Sequence, residues 1–112
     1  MNERRKDALA KNEVLFREVN EQVDSIDRQN SAPTSELASF LCECSHAQCL
    51  ERVTATRAEY EQVRSSPIRF LLAPGHEVPE IEAVVDVTDR FVVVEKHPGE
   101  RAIPRAHDPR SP

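Results

Sequence analysis

The residues with the most distinctive chemistry in this 112-residue chain lie in one short segment. All three cysteines fall within eight residues, in the stretch Cys42-Glu43-Cys44-Ser45-His46-Ala47-Gln48-Cys49. Thiolate sulfur and imidazole nitrogen are the ligands that zinc takes in tetrahedral structural sites. A tight loop could turn three thiolates toward one point, and the fourth ligand has to come from elsewhere. The segment therefore predicts a zinc site built on Cys42, Cys44 and Cys49.

His76 is the first candidate for the fourth ligand of this site. It follows a predicted strand, at a point where Gly75 lets the backbone turn and carry the imidazole inward. His46 is the second candidate, although a ligand inside the cysteine loop would crowd the turn. Glu43 or a water molecule is the third. With four protein ligands, the site would have no open position for substrate, so we expect the ion to be structural.

Other interpretations of the cysteines remain open. Thiols that a cell keeps reduced also serve as small buried apolar side chains. A redox pair formed by Cys44 and Cys49 would make the chain a thiol-based redox sensor. An open metal position, with Glu43 or Glu77 as general base, would make it a metal-dependent enzyme. Neither glutamate belongs to a catalytic pairing such as His-Glu-x-x-His, so we expect both to be exposed and solvated.

The first element expected in the chain is a long amphipathic helix, over about residues 3–29 of an N-terminal segment 1–30. One face of this helix carries a stripe with heptad-like spacing, formed by Leu9, Asn12, Phe16, Val19, Val23, Ile26 and Asn30. Such a stripe is typical of a short coiled coil and also of a helix face that packs on its own domain. The pattern leaves open whether residues 9–26 bind a protein partner, bind a second copy of the chain or pack internally.

A small α+β domain with the cysteine loop is predicted over residues 37–96, after a polar linker at 31–36. Strands are expected at 37–42, 50–55, 68–73, 81–87 and 90–96. The first two form a hairpin with the cysteines at its tip, and the last two form another. Thr56 and Glu59 predict a capping box that begins a short helix. The predicted fold is thus α+β: a long N-terminal helix, then a small, mainly antiparallel sheet with one short helix.

The remaining residues, 97–112, are rich in proline and have little that is apolar beyond Ile103. Such a composition predicts a disordered tail. Removal of the chain after residue 97 is therefore expected to leave folding intact.

Composition and charge exclude several classes of function. The net charge of −5 resides in residues 31–96, which hold six basic and eleven acidic side chains, and this disfavours nucleic acid as a partner. There is no apolar run long enough to span a membrane and no secretory signal, so we expect a cytoplasmic protein that does not bind membranes. Glycine-rich nucleotide-binding motifs are also missing.

The order and spacing of several motifs resemble a set of short uncharacterised proteins of high-GC Gram-positive bacteria. The motifs are Asn12-Glu13-Val14-Leu15-Phe16-Arg17-Glu18-Val19-Asn20-Glu21, Phe40-Leu41-Cys42-Glu43-Cys44, Cys49, Glu59-Tyr60-Glu61-Gln62-Val63-Arg64, Arg69-Phe70, Pro74-Gly75-His76-Glu77 and Val93-Val94-Glu95-Lys96. The resemblance covers about residues 2–97. It implies that the cysteine loop and His76 belong to one unit, and it implies no reaction.

The function predicted from the sequence is a non-catalytic, zinc-stabilised binding or regulatory module. In this interpretation Cys42, Cys44, Cys49 and His76 hold the ion, and residues 9–26 present a helix to a protein partner or to a second copy. The alternative is a redox sensor or a metal-dependent enzyme that uses the cysteine loop.

Overall fold

The computed structural model describes residues 2–110 and confirms the α+β fold with a long N-terminal helix. The elements in chain order are α1 (Glu3–Gln29), β1 (Leu37–Leu41), β2 (Arg52–Thr56), α2 (Arg57–Arg64), β3 (Arg69–Leu72), β4 (Glu82–Val87), β5 (Val92–Lys96), a 3-10 turn (Pro98–Glu100) and α3 (Ala102–Ala106). In this part of the chain, no helix combines the length and the apolar character that crossing a membrane requires.

The five strands form two small antiparallel sheets rather than one. β1 pairs with β2 in the predicted hairpin, and the cysteine loop joins them. The other three strands lie in the order β3-β5-β4. The two sheets meet just beyond β1, where the Glu43 N–H donates a hydrogen bond of 2.8 Å to the carbonyl of Leu71 on β3. The cysteine loop therefore begins against the edge of the second sheet.

The core lies between the two sheets and α2. The rings of Phe40 and Tyr60 stack with centroids 4.5 Å apart, and both side chains are fully buried. The predicted capping box orients α2: the Thr56 hydroxyl accepts from the Glu59 N–H at 3.1 Å, and the Glu59 carboxylate accepts from the Thr56 N–H at 2.8 Å. Tyr60 on this helix is thereby directed into the core.

Helix α1 docks on the domain mainly through polar side chains. Its buried residues are Ala10, Glu13, Arg17, Asn20 and Asp24. The Asn20 amide accepts from the N–H of Leu41 and donates to its carbonyl, both at 2.8 Å. The Arg17 guanidinium lies over the ring of Phe70, 4.8 Å from its centroid. The inner face of α1 satisfies backbone groups that a wholly apolar helix would leave unpaired.

The apolar stripe predicted from heptad spacing lies beside this inner face and is divided between the domain and solvent. Asn12 donates to the Ser45 carbonyl at 2.9 Å, and Val23 packs against the core. Val19 and Ile26, by contrast, are exposed. The spacing located the helix correctly, but the side chains that dock it are polar and do not contribute to an apolar pattern.

Residues 97–110 are folded against α1, where a disordered tail was expected; residues 111 and 112 lie outside the described part. The guanidinium of Arg17 donates to the carbonyls of Pro104 at 2.9 Å and His107 at 3.2 Å. Arg64 pairs with Asp108, and Arg110 pairs with Glu21 at 2.7 Å. The anchors are ionic groups and backbone carbonyls, so the low apolar content of the segment did not reveal them.

A buried ionic cluster joins α1 to the three-stranded sheet. Lys96 of β5 lies 2.5 Å from Glu13 of α1 and 3.3 Å from Glu82 of β4, and all three side chains are buried. Burial is the main reason that the pKa of Glu13 is raised well above its ordinary value, and the nearby carboxylate of Glu82 adds to the effect. The Lys96 ammonium thus contacts two carboxyl groups in the interior, those of Glu13 and Glu82.

Shortening the chain after His97 is predicted to destabilise the fold, because it removes two carbonyl partners of a buried guanidinium. We expect the free energy of unfolding in urea to fall by about 2–4 kcal/mol. Arg17→Met should be costly in the full chain and much less so in the shortened one. If the losses from the truncation and from Arg17→Met were simply additive, Arg17 would not be the residue that anchors the C-terminal segment.

Glu13 is predicted to make stability depend on pH. Because its folded-state pKa is raised, the folded protein retains a proton that the unfolded chain has lost, so its contribution falls as pH rises above the ordinary glutamate pKa of 4.5. Urea unfolding of Glu13→Gln from pH 4.5 to 8 should lack this decline. Glu18→Gln, at an exposed position of the same helix, is the control. Identical slopes for Glu13→Gln and the unaltered protein would refute the assignment.

Candidate metal centre

The centre forms where two connections of the chain meet. One is the cysteine loop between β1 and β2, and the other is the turn that follows β3. In this turn the His76 N–H donates to the Ala73 carbonyl at 3.2 Å, and Gly75 has a φ of 87°. That left-handed conformation favours glycine, as the sequence suggested. The turn directs the His76 ring toward the cysteine loop.

The three cysteines and His76 come together as a cluster. One ligand atom from each residue lies within 4.8 Å of the others. His76 Nδ1 lies 3.6 Å from the sulfur of Cys42 and 3.6 Å from that of Cys49. In a tetrahedral zinc site with ordinary bond lengths, the sulfur–nitrogen edge is about 3.6 Å and the sulfur–sulfur edge about 3.8 Å. The four atoms are therefore close enough to hold one metal ion.

Backbone hydrogen bonding affects the sulfurs. The Ala73 N–H donates to the Cys42 sulfur at 3.1 Å. Backbone hydrogen bonding with His46 contributes to lowering the pKa of the Cys44 thiol, and backbone hydrogen bonding with Glu51 opposes the rise in the pKa of Cys49. Amide donors stabilise sulfur in its thiolate form, which is the form that binds metals.

The outer nitrogen of His76 also has a partner. Its Nε2 lies 3.5 Å from a carboxylate oxygen of Glu51, on the side of the ring away from the sulfurs. A carboxylate placed in this way favours a proton on Nε2 and leaves Nδ1 free to bind a cation. The ring orientation and its surroundings both suit Nδ1 ligation.

The sulfurs differ in their tendency to ionise. A hydrogen bond from Cys42 is the main cause that lowers the pKa of Cys44, to about 5, and His76 contributes. The same sulfur–sulfur contact, together with burial, raises the pKa of Cys42, and burial raises the pKa of Cys49. The cluster thus carries one readily formed thiolate, and a bound cation would be needed to stabilise three.

The structure separates the candidates for the fourth ligand. His76 lies in the cluster, whereas the exposed His46 ring is 6.3 Å from the His76 ring, centroid to centroid, and approaches it edge-on. The Glu43 carboxylate is not part of the cluster, because it bonds to Asn20, Tyr60 and Leu71 instead. Glu77 is half-buried, accepts a hydrogen bond of 3.2 Å from the Gly75 N–H and is not part of the cluster.

Glu43 corrects the expectation of an exposed, solvated carboxylate, because its side chain is fully buried. One oxygen accepts from the Leu71 N–H at 2.9 Å. The other accepts from the Asn20 amide at 2.9 Å and from the Tyr60 hydroxyl at 3.0 Å. Burial raises the pKa of this carboxyl, and the three donors oppose that shift. Glu43 therefore links the cysteine loop to β3, α1 and α2.

A weak signal for this role is present in the sequence. In extended backbone, successive side chains point to opposite sides, so a residue between two ligands faces away from the metal. Cys42 and Cys44 flank Glu43 in this way, and the side opposite the sulfurs is the protein interior. Residue type alone favoured exposure, and only the packing supplied the three donors.

Replacing Glu43 with Ala is predicted to be strongly destabilising, since three buried donors lose their acceptor. We expect a loss of about 3–5 kcal/mol in the free energy of unfolding, measured in urea. Glu77→Ala is the matched control, because it removes the other glutamate near the centre and only one hydrogen bond, and it should cost less than about 1 kcal/mol. Equal losses for the two variants would show that Glu43 has no special structural role.

No protein-family model, no curated protein and no solved structure matches the chain. The chemistry and geometry of its own residues are therefore the basis for assigning its function.

Proposed function

We propose that this chain is a non-catalytic binding or regulatory module whose fold is stabilised by one zinc ion. The ion is held by Cys42, Cys44, Cys49 and His76. The observation that carries the proposal is the convergence of these four donor atoms, within 4.8 Å of one another, from two separate connections of the fold. Three thiolates and one imidazole form a donor set that suits zinc and the softer transition metals.

The position of the site supports a structural role. An ion there ties the β1–β2 hairpin to the connection between β3 and β4, and it thereby holds the two sheets together beside the contact of Glu43 with Leu71. In a domain of this size, the free energy of metal binding adds directly to the free energy of folding. Four protein ligands complete the tetrahedron, so the zinc supplies no position for a reacting water.

The binding role is assigned to the outer face of α1, for a protein partner or a second copy of the chain. This helix is 27 residues long, and its inner face is occupied by the domain. Leu15 and Ile26 nevertheless remain 58% and 56% exposed. Exposed apolar side chains on a helix that is held rigidly by its opposite face suit recognition of another protein.

The purified protein is predicted to contain one zinc per chain. Elemental analysis should find the metal, and a strong chelator should lower the melting temperature sharply. Cys49→Ser and His76→Ala should each lose stoichiometric zinc, and His46→Ala is the matched control that should keep it. Replacement of zinc by Co²⁺ should give the intense visible bands of a tetrahedral thiolate site.

Two results would overturn this proposal. One is a protein that binds neither Zn²⁺ nor Co²⁺ and whose melting temperature is unchanged when Cys49 is replaced with Ser. The other is a metal-free protein in which mild oxidation joins Cys44 to Cys49, which would favour the redox interpretation of the same cysteines. Loss of zinc from His46→Ala would show that the ligand set has been assigned incorrectly.

A further inference from the structure

An open groove lies between the outer edge of β1 and the C-terminal half of α1. We call it the β1 groove. Its volume is about 410 Å³, which is within the range of small-molecule binding sites. Its walls come from four stretches of the chain: Val23 and Asp27 on α1, Ala32 and Glu36 in the connection, Leu37 to Ser39 on β1, and Arg57 at the start of α2.

The backbone of β1 offers unpaired hydrogen-bonding groups to this groove. In an antiparallel strand, the N–H and the carbonyl of one residue point to the same side, and the side alternates from residue to residue. Those of Leu41 point outward, away from β2, because both bond to the amide of Asn20. Those of Leu37 and Ser39 therefore point outward as well. β1 has no strand neighbour other than β2, and within residues 2–110 no loop or side-chain hydrogen bond reaches these four groups.

The contact of Asn20 with Leu41 shows that the outer edge of β1 can bond to a group that donates and accepts as a neighbouring strand does. The Asn20 side-chain amide makes with Leu41 the two hydrogen bonds that a neighbouring strand would make, both at 2.8 Å. The side chain covers one residue only, so the edge is open from Leu37 to Ser39. With strand residues about 3.4 Å apart, this opening matches an added segment of three to four residues.

The free charge of the β1 groove is negative. Asp27 and Glu36 form no ion pair within the part of the chain that the structure describes. The cation in the lining is Arg57, and its guanidinium is already occupied by the Asp24 carboxylate at 3.2 Å and the Ala32 carbonyl at 2.7 Å. A basic side chain that enters the groove would therefore meet two carboxylates without a competing partner.

The groove also offers apolar surface. Val23 is partly exposed at its α1 wall, and Leu37 on β1 is 58% exposed. An occupant with alternating side chains can place apolar groups against these residues while its other side chains turn toward the carboxylates.

We propose that the β1 groove binds an extended, basic segment of a partner protein, which adds to β1 as a third strand. The backbone of this segment bonds to the N–H and carbonyl groups of Leu37 and Ser39. A Lys or Arg of the segment pairs with Asp27 and Glu36. Because the free edge is short, the affinity of the segment alone belongs to the weak class, with a Kd between about 10 μM and 1 mM.

This inference goes beyond the proposed function and depends on neither of its parts. The β1 groove is separate from the metal cluster and from the exposed outer side of α1 that carries Leu15 and Ile26. A groove that binds no peptide leaves the zinc assignment untouched. If the protein did not bind zinc but did bind the peptide, the metal assignment would be refuted and the β1 groove proposal would stand.

Nuclear magnetic resonance of the full chain tests the proposal with a synthetic probe. The probe is the acetylated and amidated hexapeptide Thr-Lys-Val-Lys-Val-Thr, which alternates basic and apolar side chains. Its addition should shift the amide resonances of Leu37 and Ser39 with saturation, and hydrogen exchange at these two amides should slow. The same peptide with Glu in place of Lys should bind at least about tenfold more weakly. Methylation of its central backbone nitrogens should abolish binding, because the added strand loses its donors.

Variants of the protein provide the complementary test. Glu36→Lys should weaken binding of the basic peptide by roughly fivefold or more. Ser39→Pro removes one outward N–H, and proline is tolerated on an edge strand when that N–H faces solvent, so the variant should fold and bind poorly. Glu80→Lys is the matched control, with the same charge reversal on an exposed residue outside the groove. Circular dichroism and melting curves verify that each variant is folded. If Ser39→Pro does not fold, Glu36→Lys and the methylated peptide decide whether the peptide adds to β1 as a strand.

Three results would overturn the proposal. The first is the absence of saturable shifts at Leu37 and Ser39 with the basic peptide up to roughly 5 mM, where even a weak specific site is filled. The second is equal binding of the basic, acidic and methylated peptides. The third is protection of the same two amides without peptide as the protein concentration rises, which would make a second copy of the chain the occupant.

Discussion

The contact between the cysteine loop and β3 is the interaction on which the rest of this structure depends. The backbone N–H of Glu43 donates to the Leu71 carbonyl, and its carboxylate accepts from the Leu71 N–H, so one residue covers both polar groups of a strand edge. Because Glu43 faces the interior, the cysteines on either side of it face the turn that carries His76. The same carboxylate binds Asn20 of α1. One buried side chain thus connects the candidate metal centre, the two sheets and the docked long helix.

The interior relies on polar groups to an unusual degree for so small a domain. The buried side chains that carry charge or an amide include Glu13, Arg17, Asn20, Asp24, Glu43 and Lys96. Burying charge is costly unless it is paired, and replacing paired charges with apolar groups is often neutral or stabilising. Such contacts do select one arrangement, because each has few alternative partners of the right geometry. With aromatic residues at only 4% of the chain, polar pairing and a metal ion would supply the specificity that a larger apolar core supplies elsewhere.

Local patterns predicted the secondary structure closely and the packing less well. The capping box at Thr56 and Glu59 and the two hairpins depend on neighbouring residues, and the structure contains them. Two separate sheets were not anticipated, because which strands pair across a domain is a long-range property. The folded segment 97–110 was missed for a related reason: its anchors, Arg17 and Arg64, lie far away in sequence.

The sequence by itself determined the helix, the strands, the clustered thiols and the choice of His76 over His46 as the residue worth testing, because each follows from local spacing and backbone freedom. Only the tertiary structure decided that His76 Nδ1 lies 3.6 Å from two of the sulfurs, that Glu43 is buried, and that α1 docks through its polar face. These outcomes depend on groups more than twenty residues apart. No local pattern records such distances, since they arise from the packing of the whole chain.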